Sequence, residues 1–249
     1  MLHGNLPNPF FGVTYFSVSN NKFSRDISFL FCNGSSLVIL NLSHNNLSRP
    51  IPQYLVGLPN LSVLDLQMNG FFGTLPNNFS ESSALQTFHF NSNRLKGSLS
   101  LSLARCTQLE IFDIGHNKIR DTFPGWLDDL PELQVLVLRE NKFYGAISSS
   151  KTKHPFPKLK IFYISNNHFN GSLPATYIKQ FEGMMKIDNV EAGSQYMESK
   201  NYSRYKDSVM ITRKGYIVEL KRILTIFATI DLSNNRFDGE IKPLESYMH

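Results

Sequence analysis

The chain has 249 residues, enough for one large domain or two, and 25 Lys and Arg stand against 20 Asp and Glu, a formal net charge of +5. The basic residues are scattered along the chain without a nucleic-acid reading motif, so a mildly basic surface is the preferred reading, with acidic cell-wall carbohydrate as the polyanion it would attract. The longest apolar stretch, "ILTIFATI", falls far short of the roughly 20 residues of a membrane span, and "MLHGNLPNPFFGV" lacks the charged start and apolar run of a signal peptide.

In chain order, "LHGNLP" is already the tail half of a unit that then recurs with an asparagine at its centre: Asn21, Asn45, Asn69, Asn93, Asn117, Asn141 and Asn167, then Asn235. Five consecutive gaps are 24 residues, the sixth is 26 and the last is 68. A fixed period in this range signals a repeat architecture. The third unit is the cleanest: Leu61, Leu64, Leu66, Asn69, Phe71, Gly73, Leu75 and Pro76 fit L-x-x-L-x-L-x-x-N-x-L-x-G-x-L/I-P.

Each part of the pattern has a physical role. Alternation around Leu64 and Leu66 marks a short half-buried strand. Such strands, stacked in register, form a parallel sheet along one side of a solenoid. The asparagine amide can satisfy backbone groups of its own repeat and of the next, glycine permits a tight turn and proline stops the strand. Between units, "PQYLVGLPNL" and "PGWLDDLPEL" accommodate one helical turn, with Leu55 and Leu127 facing inward. The expected fold is an α/β repeat: a right-handed leucine-rich-repeat solenoid with a parallel sheet on its concave face and short helical or 3-10 turns on its convex side. Arg25, Arg49 and Asp121 replace the glycine in three units, and Ser28, Ser100 and Ser148 replace the proline.

Seven glycosylation sequons, at Asn33, Asn41, Asn46, Asn60, Asn78, Asn170 and Asn201, lean towards secretion. Cys32 and Cys106 lie three repeats apart, on the order of 14 Å at the usual strand spacing. A disulfide needs Cα atoms within about 7 Å, so two unpaired, mostly buried thiols are expected.

One ordinary period subtracted from the last gap of 68 leaves 44 extra residues. They divide the chain into repeats at 1–174, an inserted island at 175–226 and a resumed, truncated repeat at 227–249. The insertion opens with "TYIKQFEGMMKIDN", a short helical stretch, and passes through a polar, tyrosine-rich segment. It ends in a β-hairpin: Val209 and Ile211 alternate on one arm, Arg213-Lys214-Gly215 turns, and Tyr216, Val218 and Leu220 alternate on the other.

The "LxGxIP" endings, as in "LSRPIP" and "FNGSLP", together with an insertion ending "KGYIVELKRILTIFATIDLSNNRFDGEI", resemble the plant leucine-rich-repeat receptor-like proteins, including the Cf-type and Ve-type resistance receptors. The resemblance runs to about Ile241, where Lys242 then replaces the expected proline. It implies a recognition ectodomain on the outer, apoplastic side of the plasma membrane, acting in defence or development. It also implies one membrane helix, a kinase-free tail, a protein or peptide ligand, and a leucine-rich-repeat receptor-kinase adaptor or co-receptor. Neither entry signal nor anchor is seen, so the chain is expected to be a piece of a longer receptor or a truncated copy. The alternatives are the ectodomain of a receptor kinase and a secreted inhibitor-type repeat protein; the latter lack an island.

No P-loop, Rossmann glycine pattern, kinase signature or nucleophile elbow occurs, so no catalytic residue and no cofactor is assigned. His44, His89 and His116 flank strands, but three repeats separate the first from the last, and His89 is out of register with His116 by roughly 10 Å. They are therefore expected to be solvated surface histidines rather than metal ligands. Binding candidates on the concave sheet are Tyr15, His44, Met68, His89, His116, Arg139, Glu140 and Tyr163. The aspartate column Asp65, Asp113 and Asp231 reads as repeat grammar, and a glycan on Asn41 would cover the second repeat's concave surface. The insertion offers Tyr202, Tyr205, Arg213, Lys214 and Tyr216, aromatic and charged residues of the kind enriched at hot spots.

Overall fold

A computed structural model describes residues 1–33, 36–150, 152–185, 205–213 and 216–239. Each repeat contributes one three-residue strand: β1 (Tyr15–Ser17), β2 (Ile39–Asn41), β3 (Val63–Asp65), β4 (Thr87–His89), β5 (Ile111–Asp113), β6 (Val135–Val137) and β7 (Ile161–Tyr163). The insertion carries an antiparallel pair, β8 (Val209–Arg213) and β9 (Tyr216–Leu220), and the repeat pattern resumes at β10 (Thr229–Asp231).

Strands β1 to β7 pair in parallel, each with the next, and β10 pairs directly with β7 through Phe162 and Ile230. The solenoid sheet thus steps across the long gap without a break. Because successive side chains point to opposite faces, the central strand residue of every repeat enters one column. Leu40, Leu64, Phe88, Phe112, Leu136 and Phe162 in this column are all buried. Removing such a side chain from water is worth roughly 1.5–3 kcal/mol. Aromatic stacking adds to it: Phe88 lies 3.8 Å from Phe90, centroid to centroid, and Phe143, Phe169 and Phe237 stack across three repeats.

The asparagines join the repeats. Asn93 Nδ2 donates to the carbonyls of Leu66 in the preceding repeat (3.0 Å), Phe90 (3.1 Å) and Asn91 (3.2 Å), and its Oδ1 accepts from the Phe71 backbone N–H (3.0 Å). Asn45, Asn69, Asn117, Asn141, Asn167 and Asn235 donate in the same way, Asn235 reaching back to Ile164 O at 2.9 Å. Asn21 makes the local part of the pattern. To aim the amide inward, the preceding residue turns left-handed. Asn20, His44, Met68, Ser92, His116, Glu140, Asn166 and Asn234 all have φ between 51° and 57°. That conformation costs a non-glycine residue roughly 1–2 kcal/mol; it recurs in every unit because the buried amide needs it.

The convex side carries 3-10 turns at Gln53–Gly57, Leu101–Arg105 and Gly125–Leu127, with Leu55 and Leu127 fully buried as expected. Cys32 and Cys106 are both free; Cys106 is buried and Cys32 half-buried. After β7 come α1 (Ala175–Ile178) and α2 (Glu182–Met185). Their Tyr177 and neighbouring Phe181 pack into the repeat core against Phe156 and Phe162. Gly183 lets α2 approach closely, since a Cβ there would sit 2.5 Å from the Lys158 backbone carbon.

Asn93→Ala would leave the buried Phe71 N–H without its acceptor, costing about 1–3 kcal/mol, and would remove one bond, worth about 0.5–1.5 kcal/mol, from each of the Leu66, Phe90 and Asn91 carbonyls, which keep a second donor. It is expected to lower stability in urea unfolding by about 3 kcal/mol or more, whereas Asn78→Ala, on the exposed surface, changes it by less than about 0.5 kcal/mol.

Candidate functional site

Strand alternation presents the first and third residues of each strand on the concave face. In the first position stand Ile39, Val63, Ile111, Val135 and Ile161, and in the third Val137 and Tyr163, apolar residues that an open, wet surface would not need. All are buried, and Tyr205, Val209, Ile211 and Ile223 lie against them. Val209, Ile211 and Ile223 cluster with Ile111, Val135, Val137, Ile161 and Tyr163, and Tyr205 packs on Ile39 and Val63. The hairpin that the alternation predicted is present, and its docking closes much of the concave sheet.

Polar clamps accompany the apolar contact. Tyr205 donates its hydroxyl to Asp65 Oδ2 (3.2 Å), and Thr87 donates to Asp207 Oδ1 (2.9 Å). A side-chain chain runs beneath: Gln67 donates to Asp65, while Asn91 donates both to Gln67 (3.0 Å) and to Asp113 (2.8 Å). His89 sits between Asp113 and Asp207, 3.9 and 3.8 Å away, and neither ring nitrogen makes a hydrogen bond among the described residues. Burial pushes the Asp65 and Asp207 carboxyls up to about 7 and Asp113 up to about 6, against partial relief from their hydrogen bonds. Burial pushes His89 down to about 4, so it is neutral. Arg139 lies 5.9 Å from the Tyr163 ring centroid, in space left by Gly115, where a Cβ would come within 3.4 Å of Arg139 Cγ.

Beyond the clamped zone the cover stands off the sheet and leaves an open cleft of about 310 Å³. Its floor is Tyr15, Ser17, Asn41, Asp65 and Gln67, its turn-side rim includes His44, and its far wall is Tyr205, Lys206, Ser208, Glu219 and Lys221. The lining is polar, with both charge signs on one wall. That suits a ligand carrying backbone amides and mixed side chains better than an apolar one.

The sequence-based contact residues divide sharply. Tyr15 and His44 line the cleft. Met68, His116 and Glu140 lie in the left-handed turn column rather than on the strands; Met68 is 42% exposed, and His116 Nδ1 is 2.6 Å from Glu140 Oε2. His89, Arg139, Tyr163 and Tyr205 are corrections: expected to face solvent, they are buried under or within the cover. Arg213 and Tyr216 pair as backbone at the hairpin end, and their side chains, like Tyr202, Lys214 and Asn201, lie outside the described residues. Asn33, Asn46, Asn60, Asn78 and Asn170 are exposed, and Asn41, half-buried, lines the cleft with its Oδ1 accepting from Ser43. Among the described residues no three His, Cys, Asp or Glu side chains are grouped to hold a metal. Sequence reasoning missed Asp207, Lys206 and Lys221; the run of β-branched residues at concave positions was the signal that something covers the sheet.

The leucine-rich-repeat family profiles match residues 12–71 and 83–143, and again 158–178. Receptor-like protein 52 of Arabidopsis thaliana is 46% identical over 122 residues, covering 48% of this chain and 14% of its own length. Receptor-like protein 34 of the same plant is 47% identical over 121 residues, 48% of this chain and 12% of its own length. The chain therefore spans about one eighth of the curated relatives it matches. Among solved structures, the peptide hormone receptor RGFR1 in complex with RGF2 aligns over 73% of this chain and 29% of its own, at TM-score 0.67 and 25% identity. PEPR1 with AtPEP1 aligns over 96% and 28%, at TM-score 0.71 and 23% identity, a likeness of fold. No helix among the described residues is long and apolar enough to cross a membrane. With more than half of its residues matched by the repeat profiles, the chain belongs to the leucine-rich-repeat family and within it is similar to plant receptor-like proteins.

Proposed function

We propose that this chain is part of the non-catalytic recognition ectodomain of a plant cell-surface receptor-like protein. It binds a peptide or protein ligand in the cleft between the first three strands and the cover, on the outer side of the plasma membrane, and acts with a leucine-rich-repeat receptor kinase as partner in defence or development. The observation that carries this reading is the cleft itself, because two distant parts of the chain, residues 15–67 and 205–221, build it together. A ligand held there would touch both the solenoid and the cover and so favour one arrangement of the two. The similarity to receptor-like proteins and to a receptor solved with its peptide hormone supports the same class of ligand.

In the full-length protein, His44→Ala combined with Lys221→Ala is expected to weaken the ligand response at least about ten-fold, the effect of roughly 1.4 kcal/mol of lost contact. Accumulation at the membrane should be unchanged, and Met68→Ala, exposed but outside the cleft, should respond like the parent. Equal responses from all three proteins would exclude the cleft as the ligand site.

The buried carboxyls also make docking of the cover pH-dependent. Asp65, Asp207 and Asp113 have docked-state pKa values raised above the ordinary 3.8, so between about pH 4 and 7 the docked form holds protons that an undocked form releases. That stabilisation is fully present at acid pH and is lost as the pH rises through about 6 to 7. His89 opposes it, because undocked imidazole takes up a proton below about 6.5 that the docked one, lowered to about 4, cannot. Three carboxyls against one imidazole leave a net uptake of protons on docking. Glu110 and Asp65 reinforce the rise at Asp207, and Arg139 lessens that at Asp113. Amide exchange at Val209–Ile211, corrected for intrinsic rate, is expected to be slower at pH 5 than at pH 7.5, and Asp207→Asn to flatten the difference. Faster exchange at pH 5 would contradict the linkage.

A further inference from the structure

The basic residues that look scattered in sequence are collected by the fold. The position directly after the ladder asparagine is Arg94, Lys118, Lys142, His168 and Arg236 in five successive repeats, all exposed. Two residues further on, Lys96 and Arg120 extend the same lateral face. Just after the asparagine each of these repeats has a second, shorter strand (Arg94–Gly97, Lys118–Ile119, Tyr144–Ala146, His168–Ser172 and Arg236–Asp238), and these strands set the columns beside one another. Lys118 pairs with Lys96, and His168 pairs with Tyr144. Like charges opposite one another on neighbouring strands destabilise a sheet, and side chains pointing to water contribute nothing to the core that would require them. None of the seven is ion-paired to a carboxylate among the described residues. Across the later repeats the stripe opens into a cavity of about 500 Å³ lined by Arg120, Lys142, Tyr144, His168, Asn170 and Arg236, with no carboxylate in its wall. Arg120 lies 5.6 Å from the exposed Tyr144 ring.

We infer that this lateral stripe is a binding surface for a linear acidic polysaccharide, a polyuronate with one carboxylate per sugar, separate from the peptide cleft. Strands stack at roughly 4.8 Å, so the cations form a straight row with a regular step, matched by an extended chain whose charges also recur at every unit. The Tyr144 ring offers a flat face for a sugar ring, and the Asn170 amide offers hydrogen bonds to hydroxyls. A single-stranded nucleic acid would call for an aromatic platform at successive bases, and the cavity has one ring. The inference rests on the extracellular placement proposed above, but it concerns a different face, so the cleft variants leave it untouched.

The test uses the purified chain carrying Ser172→Ala, which abolishes the Asn170 sequon and keeps a glycan out of the cavity while leaving the Asn170 amide in place, and oligomeric polygalacturonate as probe. Binding is expected to weaken steeply with salt, to be absent with the fully methyl-esterified polymer, and to fall at least ten-fold in Lys118→Gln/Arg120→Gln/Lys142→Gln. The variant Arg49→Gln/Arg105→Gln/Lys153→Gln removes the same charge from the exposed surface outside the stripe and is expected to bind like the parent. Equal losses in both variants would reduce the effect to net charge and overturn the inference. Equal binding of the esterified polymer, or of single-stranded DNA at the same stripe, would overturn it as well.

Discussion

Every other feature of this molecule depends on the buried asparagine amide. A side chain that donates to its own turn and to the carbonyl one repeat back ties each unit to its neighbour. It does so inside the core, where a missing partner is costly. Satisfying that amide holds the strands in register and forces the residue before it into a left-handed turn. It also places equivalent residues of all repeats in straight columns. Once columns exist, one of them must be apolar for the core to close, and the others become surfaces whose chemistry the protein can vary freely.

Two of those surfaces have been put to different uses. The concave face carries aliphatic residues in its middle repeats, and the cover settles there with Val209, Ile211 and Ile223. At its N-terminal end Tyr205 still packs on Ile39 and Val63, but the face around them turns polar, hydroxyl-to-carboxylate contacts join the cover, and the cleft opens. Apolar contact thus anchors one part of the cover, while a titratable one joins the other. The lateral face, further from the cover, collects cations in place of apolar residues.

The solenoid was legible in the sequence because a period of 24 residues repeats the same physical demand many times. The hairpin was legible because Val209, Ile211, Val218 and Leu220 alternate. What faces solvent was not. His89 and Tyr163 stand where repeat grammar puts exposed residues, and only their unrelated neighbours Val209 and Asp207, more than forty residues away, bury them. Ile39, Val63, Ile111, Val135 and Ile161 carried the missing information, since β-branched residues at outward positions of consecutive strands imply a partner. The basic stripe escaped notice for the complementary reason: read along the chain, Arg94 and Lys118 are distant, and read by column they are neighbours.

The central claim is that the cover rests on the concave sheet and shields His89. It is tested most directly by labelling the native protein with diethyl pyrocarbonate near neutral pH and locating the modified histidines by mass spectrometry. His3 and His168, which are exposed, are expected to react readily while His89, fully buried, stays unmodified. Modification of His89 at the rate of His168 would show an open concave face and contradict the account.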